Sequence, residues 1–222
     1  MPDTTRILST KKLLPNQKQF LLNAGFTVVE SDFIKTETIA FDLNQLQEYL
    51  IFTSQNAVHS VLQHPKVAEL KQKDVFCVGL KTKALLEENG FKVIAYTGYA
   101  SDLAEIITLV YPKGSYSFFS GNLRKDTLPD ALKEANIPLK EVNVYNTILT
   151  PNKVNSKADG ILFFSPSGVE SYLKDHTITA ETCFCIGTTT AEALDTITKN
   201  IVIANQPTIE NTIIQCINHY KQ

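Results

Sequence analysis

The 222-residue sequence contains no tryptophan, one methionine and only two arginines. It also lacks an uninterrupted apolar run of about 18 residues, the length that a membrane-spanning helix needs. Its first residues, MPDTTRILSTKK, contain no apolar core of a secretory signal. The formal net charge is only −2, so no overall field favours nucleic acid or a membrane surface. We therefore expect a cytoplasmic protein without nucleic-acid or membrane partners.

Metal and redox sites are not indicated either. The four cysteines are Cys77, Cys183, Cys185 and Cys216, all within apolar stretches, which is typical of reduced thiols packed as small hydrophobic side chains. Cys183 and Cys185 could share one strand face, but no second cysteine or histidine pair completes a zinc site nearby. We expect no bound metal.

The usual catalytic signatures are also missing. No G-x-S-x-G, Walker loop, G-x-G-x-x-G or H-E-x-x-H motif occurs. The four histidines show no ligand spacing and no pattern of acidic or serine partners. Covalent, metal-dependent and dinucleotide chemistry therefore lack support, and we expect no cofactor.

What the sequence does contain is a regular alternation of short apolar runs and helix-like segments. The first helix is expected at Pro15–Ala24. The expected strands are Arg6–Ser9, Phe26–Val29, Leu50–Thr53, Val75–Val78, Tyr116–Phe119, Gly160–Phe164, Thr182–Ile186 and Ile201–Ala204. Each strand precedes a plausible helix, and this pattern predicts parallel sheets covered by helices, an α/β fold.

Two stretches rich in β-branched residues, Phe33–Phe41 and Glu141–Leu149, do not fit a strand–helix–strand unit. A two-stranded connection between two domains accounts for both. We expect a discontinuous α/β lobe of residues 1–34 and 149–222, an inserted lobe of residues 41–140, and linker strands at residues 35–40 and 141–148.

A weak internal repeat also suggests two similar halves. The segment FTSQNAV, which begins at Phe52, resembles FFSPSGV, which begins at Phe163. Further on, VGLKT from Val78 resembles IGTTT from Ile186, in the same order and at similar spacing. Duplication can be purely architectural, so the repeat predicts two related lobes but no function.

Hydroxyl and amide side chains follow nearly every expected strand, where parallel sheets bind ligands. These positions are Ser9-Thr10, Thr53 to Asn56, Gly79 with Thr82, Ser120-Gly121-Asn122, Ser165 to Gly168, and Gly187 to Thr190. Each residue alone is best interpreted as a helix cap. Their recurrence at so many corners suggests a cleft lined by backbone amides, which accept anions at helix N-termini.

Two single residues have competing interpretations. Arg124 is either a solvated charge in a first helical turn or a bidentate grip on a carboxylate or phosphate. Tyr145 either packs, as most tyrosines do, or donates a proton to a leaving hydroxyl. Local sequence does not decide between these alternatives.

Six motifs together are more specific: IFTSQNAV, VGLKT, SGNLRKDTLPDAL, VNVYNT, FFSPSGVESYL and CIGTTTAEAL. They occur in the order seen in uroporphyrinogen-III synthases, and the chain resembles that family from about Leu8 to Leu194. One departure is Ser9-Thr10-Lys11-Lys12, where many bacterial members have Thr-Arg, and lysine lacks the planar fork of arginine.

The resemblance implies a monomer with two flavodoxin-like or Rossmann-like lobes joined by a two-stranded ladder, with the substrate between them. It implies no metal and no organic cofactor. The implied reaction is the dehydrative cyclisation of the small molecule hydroxymethylbilane to uroporphyrinogen III, with inversion of ring D through a spiro intermediate. Such a lyase serves tetrapyrrole (haem and sirohaem) biosynthesis.

The resemblance also implies site residues. Tyr145 matches the tyrosine proposed as proton donor to the leaving hydroxyl. The cleft positions that match are Ser54, Thr82, Ser165, Ser167, Thr189 and Thr190. With Ser120, Gly121, Asn122, Arg124 and Gly168 they form the expected set of substrate-binding residues.

Two other functions fit parts of the sequence. A non-catalytic, two-lobed module that binds a small anion would use the same polar corners, and a ring-closure assay separates it from the enzyme. A flavodoxin-like flavin protein would cradle a phosphate with the same loops, and it would be yellow when purified.

Overall fold

A computed structural model describes residues 4–221 of the chain. The strands are β1 (Arg6–Ser9), β2 (Thr27–Glu30), β3 (Ile34–Thr38), β4 (Tyr49–Phe52), β5 (Asp74–Val78), β6 (Lys92–Thr97), β7 (Tyr116–Gly121), β8 (Leu139–Leu149), β9 (Gly160–Phe163), β10 (Thr182–Cys185) and β11 (Ile201–Ile203). The helices are α1 (Pro15–Asn23), α2 (Gln55–Leu62), α3 (Val67–Leu70), α4 (Leu80–Glu88), α5 (Ala100–Val110), α6 (Thr127–Glu134), α7 (Pro166–Leu173), α8 (Thr188–Glu192) and α9 (Ile209–Tyr220).

The predicted α/β alternation is confirmed, with two differences. β2 leads directly into β3 without the helix that was expected to follow it. β6 was not predicted, because it is the last strand of its sheet and most of its residues remain partly accessible to solvent. An edge strand of this kind lacks the continuous apolar run that marks a strand buried on both faces.

The chain divides into two compact units. One, the discontinuous unit, comprises the chain up to Lys35 and from Ile148 onward. The other, the continuous unit, is Thr36–Thr147. β3 lies within the first β-branched stretch and β8 includes the second. The two strands are neighbours in the sheet of the continuous unit, and β8 also pairs with β7 from Leu139 to Tyr145.

The discontinuous unit has a five-stranded sheet in the order β11-β10-β9-β1-β2, with every described pair parallel. Numbered within the unit, this is the 2-1-3-4-5 order of flavodoxin-like folds. Its strand residues alternate between two hydrophobic layers. Leu8 and Phe163 pack on the side of α7 and α8, whereas Ile7, Leu162 and Phe184 pack on the side of α1 and α9.

The continuous unit has a six-stranded sheet in the order β3-β8-β7-β4-β5-β6. From β8 to β6 the pairs are parallel, and within the unit these five strands have the Rossmann-like order 3-2-1-4-5. Leu50 and Phe52 pack in the layer that includes α2 and α4, and Ile51 packs in the layer that includes α5 and α6. This period of two fixes which face of each strand meets which helices.

The four cysteines are free thiols buried within these layers, as expected. Cys183 and Cys185 do share one face of β10, together with the layer beneath α7 and α8. Burial raises the pKa of both thiols to about 12. These side chains therefore stay protonated at neutral pH and act as small hydrophobic residues.

Candidate active site

Each sheet has one position where the chain changes direction across the sheet, and ligands bind at the carboxyl ends of the strands that flank it. In the continuous unit this switch point lies between β4 and β7. In the discontinuous unit it lies between β1 and β9. Most residues of the expected site lie at the carboxyl ends of these four strands or shortly after them.

Ser54 follows β4 and caps α2. Its Oγ accepts a hydrogen bond from the backbone N–H of Asn56 at 3.2 Å, which satisfies one of the free donors of the first helical turn. The same Oγ accepts a second hydrogen bond, also 3.2 Å long, from the phenol of Tyr145. The cap interpretation of Ser54 therefore holds, and the residue in addition contacts the expected catalytic tyrosine.

Tyr145 lies on β8 and is half-buried. Its ring packs against the layer that contains Val142 and Val144. Two successive residues, Val144 and Tyr145, reach this layer because the register between β7 and β8 shifts: Ser120 faces Asn143, but Gly121 faces Tyr145. A strand without this shift would turn Tyr145 to the opposite face.

Ser120, Gly121 and Asn122 form the end of β7 and the start of the following loop. Ser120 and Gly121 are buried and Asn122 is exposed. The backbone N–H of Asn122 donates to the carbonyl of Tyr145 at 3.3 Å. The side-chain amide of Asn122 bonds both backbone groups of Thr147. This loop is therefore joined to the strand that carries the phenol.

Arg124 makes ion pairs with two carboxylates of its own chain, Asp126 and Glu141. The hydrogen bond that the Arg124 guanidinium donates to Asp126 is the main cause of its raised pKa. Glu141 precedes Tyr145 by four residues on the same strand, roughly 13 Å at 3.3 Å per residue. The guanidinium thus points back along β8, away from the carboxyl edge of the sheet.

Thr82 is the third residue of α4, which packs against α2. Its side chain is 5% exposed. Gly79, just before this helix, adopts a φ of +90°, a conformation that favours glycine. A left-handed residue at this corner lets α4 start immediately after β5.

In the discontinuous unit, Ser165 caps α7 by accepting from the N–H of Gly168 at 3.0 Å. The Oγ atoms of Ser165 and Ser167 lie 3.1 Å apart. Thr10, at the end of β1, is buried and donates through Oγ1 to the carbonyl of Leu162 at 2.8 Å. A Cβ on Gly168 would lie 3.7 Å from that Oγ1, so the loops after β1 and β9 meet at this glycine.

Thr189 and Thr190 lie in α8, a short helix that packs against α7. Thr189 is exposed, whereas Thr190 is buried with 1% of its surface exposed. Thr190 corresponds in the repeat to Thr82, since each is the third residue of its helix. Of Thr189 and Thr190, Thr189 is the one that is accessible to solvent.

The structure therefore brings the expected residues together in two groups. The first group is Ser54, Gly121, Asn122 and Tyr145, and the second is Ser165, Ser167 and Gly168. The sequence did not reveal the parts played by Glu141 and Thr147, which hold Arg124 and Asn122. Within residues 4–221, no group of three or more His, Cys, Asp or Glu side chains could hold a metal ion.

The family model described as uroporphyrinogen-III synthase HemD matches residues 17–214. The chain belongs to the uroporphyrinogen-III synthase family. It is therefore a lyase that closes hydroxymethylbilane to uroporphyrinogen III in tetrapyrrole biosynthesis.

Solved structures agree with this family at the level of the fold. A uroporphyrinogen-III synthetase from Helicobacter pylori is 22% identical with a TM-score of 0.76, and the match covers 97% of this chain and 100% of the other. A mutant uroporphyrinogen III synthase from Thermus thermophilus is 16% identical with a TM-score of 0.70, covering 99% and 100%. In the part of the chain that the structure describes, no helix has the length and apolarity to span a bilayer.

Proposed function

We propose that Tyr145 is the proton donor of this uroporphyrinogen-III synthase. The observation that carries the proposal is the 3.2 Å hydrogen bond between the Tyr145 phenol and Ser54 Oγ at the switch point of the continuous unit. This hydrogen bond holds the phenol at the carboxyl edge of a parallel sheet, which is the edge where ligands of such sheets bind. The O–H group of Tyr145 can rotate from Ser54 to a substrate oxygen while the ring stays in place.

The proposed chemistry begins at the hydroxymethyl group of the substrate. Its C–O bond breaks and the hydroxyl leaves as water with the proton of Tyr145. The resulting electrophilic carbon is attacked by the substituted carbon of ring D, which forms the spiro intermediate. The bond between that ring D carbon and the methylene group that joins it to ring C then breaks, and the unsubstituted α-carbon of ring D bonds to the released methylene carbon. This α-carbon finally loses its proton, which restores the phenol.

Substrate binding relies on hydroxyls and backbone N–H groups. The substrate carries eight carboxylates, whereas the protein has a formal net charge of −2 and two arginines. Free N–H groups at the starts of α2 and α7 attract anions without a basic cluster. We infer that the substrate is bound by Ser54 at the start of α2, by Ser165, Ser167 and Gly168 at the start of α7, by Thr82 in the first turn of α4, and by Thr189 and Thr190 in α8. Ser120, Gly121, Asn122 and Arg124 of the expected set lie at the end of β7 and in the loop that follows it.

Conformational control is the larger part of the proposed catalysis. Hydroxymethylbilane also closes without an enzyme and then gives the uninverted type I isomer. The enzyme must therefore hold ring D in the geometry that favours attack by its substituted carbon. No strong nucleophile or metal is needed for that task.

The deciding experiment supplies freshly generated hydroxymethylbilane to the purified protein and separates the product isomers by chromatography. We expect mainly type III product, with no added metal or cofactor and no loss of activity after exhaustive chelation. A product with only the type I isomer would refute the activity. Activity lost to chelation and restored by one metal would refute cofactor-free catalysis.

We further infer that the enzyme works as a monomer in the cytoplasm, with this small molecule as its only partner in the reaction. The formal net charge of −2 gives no overall field that would attract nucleic acid or an anionic membrane, which supports this inference. Light scattering coupled to size exclusion should give a mass near 24.7 kDa at all concentrations tested.

A further inference from the structure

The loop after β7 makes contacts that neither substrate binding nor capping explains. Asn122 makes three hydrogen bonds to the backbone of β8, one at Tyr145 and two at Thr147, two residues further along the strand. Its backbone N–H donates to the carbonyl of Tyr145 at 3.3 Å. Its Oδ1 accepts from the N–H of Thr147 at 2.7 Å, and its Nδ2 donates to the carbonyl of Thr147 at 3.3 Å. An amide that makes this pair of bonds imitates one further residue of a paired strand.

Gly121 gives the Tyr145 ring its space. A Cβ at Gly121 would lie 2.5 Å from Cε2 of that ring and 2.9 Å from its phenol oxygen. Carbon atoms do not approach so closely, and the backbone of Gly121 cannot yield because it is paired within the sheet. Any larger residue would push the ring away from this position.

The register shift makes both contacts necessary. Without the shift between Ser120 and Gly121, Tyr145 would face the opposite side of the sheet. A shift of this kind leaves part of the ladder unpaired, so it needs other bonds to stabilise it. The three hydrogen bonds that Asn122 makes with β8 lie directly after the shift and stabilise it.

We propose that Gly121 and Asn122 are positioning residues that fix the Tyr145 phenol beside Ser54. Resting on the proposed role of Tyr145, this inference gives Asn122 a role that acts through the tyrosine. It replaces the sequence-based expectation that these two residues bind the substrate. Gly121 removes the steric barrier, and Asn122 holds the backbone of β8 at Tyr145 and at Thr147, directly after the catalytic side chain.

The first test measures turnover of Asn122→Ala. Because small misplacements of a catalytic group are costly, we expect kcat to fall by about tenfold with little change in KM. The matched control is Asn143→Ala. Asn143 lies on β8, as Tyr145 does, and its side-chain amide donates to Asn146 and not to the loop after β7. That variant should retain wild-type kcat.

The second test repeats Asn122→Ala in a Tyr145→Phe background. If Asn122 acts through the phenol, its loss should change kcat by less than about twofold there, because residues that act as a unit are not additive. An equal fall in kcat in both backgrounds, or a rise in KM in both, would show that Asn122 acts on the substrate itself and would overturn the proposal.

The third test is independent of activity. 3-Fluorotyrosine incorporated at position 145 reports the ring environment through its ¹⁹F chemical shift. We expect this shift to move in Asn122→Ala and Gly121→Ala but not in Asn143→Ala or Gly98→Ala, since a Cβ at Gly98 meets no atom within 4 Å. An unmoved signal in the first two variants overturns the positioning role. A moved signal with near wild-type turnover of Tyr145→Phe supports positioning and refutes proton donation instead.

Folding is controlled with a conservative variant. Asn122→Asp keeps the acceptor of the 2.7 Å bond from Thr147 and loses the longer bond. We expect its kcat to lie between those of wild type and Asn122→Ala, with all melting temperatures compared. If Asn122→Ala fails to fold, Asn122→Asp takes its place in the turnover and ¹⁹F measurements. Wild-type kcat together with an unmoved ¹⁹F signal in Asn122→Asp would then overturn the proposal.

Discussion

Tyr145 is the single residue at which removal of one oxygen atom should affect the chemistry most. In Tyr145→Phe the ring and its packing remain, but the proton for the departing hydroxyl is lost. We expect turnover to fall by about a hundredfold or more, as is usual when a general acid is removed. Ser54→Ala and Ser165→Ala each remove one of many proposed contacts with the substrate. Such a contact is worth about 1–3 kcal/mol at most and is partly replaced by water.

The comparison requires steady-state turnover and product isomer ratios for the three variants, with thermal melts to check folding. Residual type III product is expected even from Tyr145→Phe, because positioning accounts for much of the catalysis. If Tyr145→Phe is near wild type while a serine variant is inactive, the proton comes from elsewhere.

The buried thiols make stability depend on pH. Burial raises the pKa of Cys77 and of Cys216 to about 12, from an ordinary value near 9. Between these pH values the unfolded chain loses the thiol proton and the folded chain keeps it. The free energy of unfolding therefore falls as pH rises above about 9, by roughly 1.4 kcal/mol per pH unit for each thiol.

Urea unfolding at pH 8, 9 and 10 measures this dependence. In Cys216→Ala, stability should be lower at every pH because of the cavity, but its decline with pH should be shallower than in wild type. An unchanged slope would mean that Cys216 does not contribute to it.

Residue types were easier to predict than residue partners. The sequence indicated that Arg124 and Asn122 lie near the site, but not what they bind, because Glu141 and Thr147 are 17 and 25 residues further along the chain. Only folding brings β8 beside β7 and reveals these pairs. The local sequence SGNLRK also does not indicate that the missing side chain of Gly121 leaves space for the ring of Tyr145.

At the scale of elements, the proposed binding role of a helix N-terminus can be separated from its structural role by one substitution. Ser165→Asp keeps a good cap for α7, and its negative charge suits the helix dipole. The same charge repels a carboxylate of the substrate. We expect an unchanged or higher melting temperature together with a KM for hydroxymethylbilane raised by about tenfold.

Thr208→Asp provides the matched control. Thr208 caps α9 by accepting from the N–H of Asn211 at 3.1 Å, and it is not part of the proposed site. Its replacement adds the same charge and should leave KM unchanged. Equal rises in KM for both variants would indicate a general charge effect and leave Ser165 as a cap alone.

The strands that the sequence predicted best are those buried on both faces. Runs such as YLIF and GILF are continuous because helices cover both sides of β4 and β9. β6 was missed for the opposite reason, and the register shift in β8 leaves no mark on the pattern of residue types. Strand order also had to come from the structure, since alternation alone does not distinguish flavodoxin-like from Rossmann-like sheets.

At the scale of the whole molecule, each unit should fold without the other. The continuous unit has a complete sheet with hydrophobic layers on both faces. The discontinuous unit can be closed with a short Gly/Ser turn in place of the insert, because Thr150 donates to the carbonyl of Phe33 at 2.9 Å. We expect residues 34–149, and residues 4–34 joined to 149–221, each to unfold cooperatively in urea. A fragment with a broad, non-cooperative transition would contradict its independence.

The insertion has a consequence during synthesis on the ribosome. β1 and β2 emerge early, but β1 lies between β2 and β9 in the finished sheet. About 130 residues separate the end of β2 from the start of β9, which takes roughly 7–26 s at ordinary translation rates. Throughout that interval Ile7 and Leu8 lack the neighbouring strand that later buries them. The continuous unit can meanwhile fold completely. The nascent chain then carries a folded domain next to a pair of strands whose apolar side chains are still exposed, and chaperones recognise exposed apolar surface of this kind.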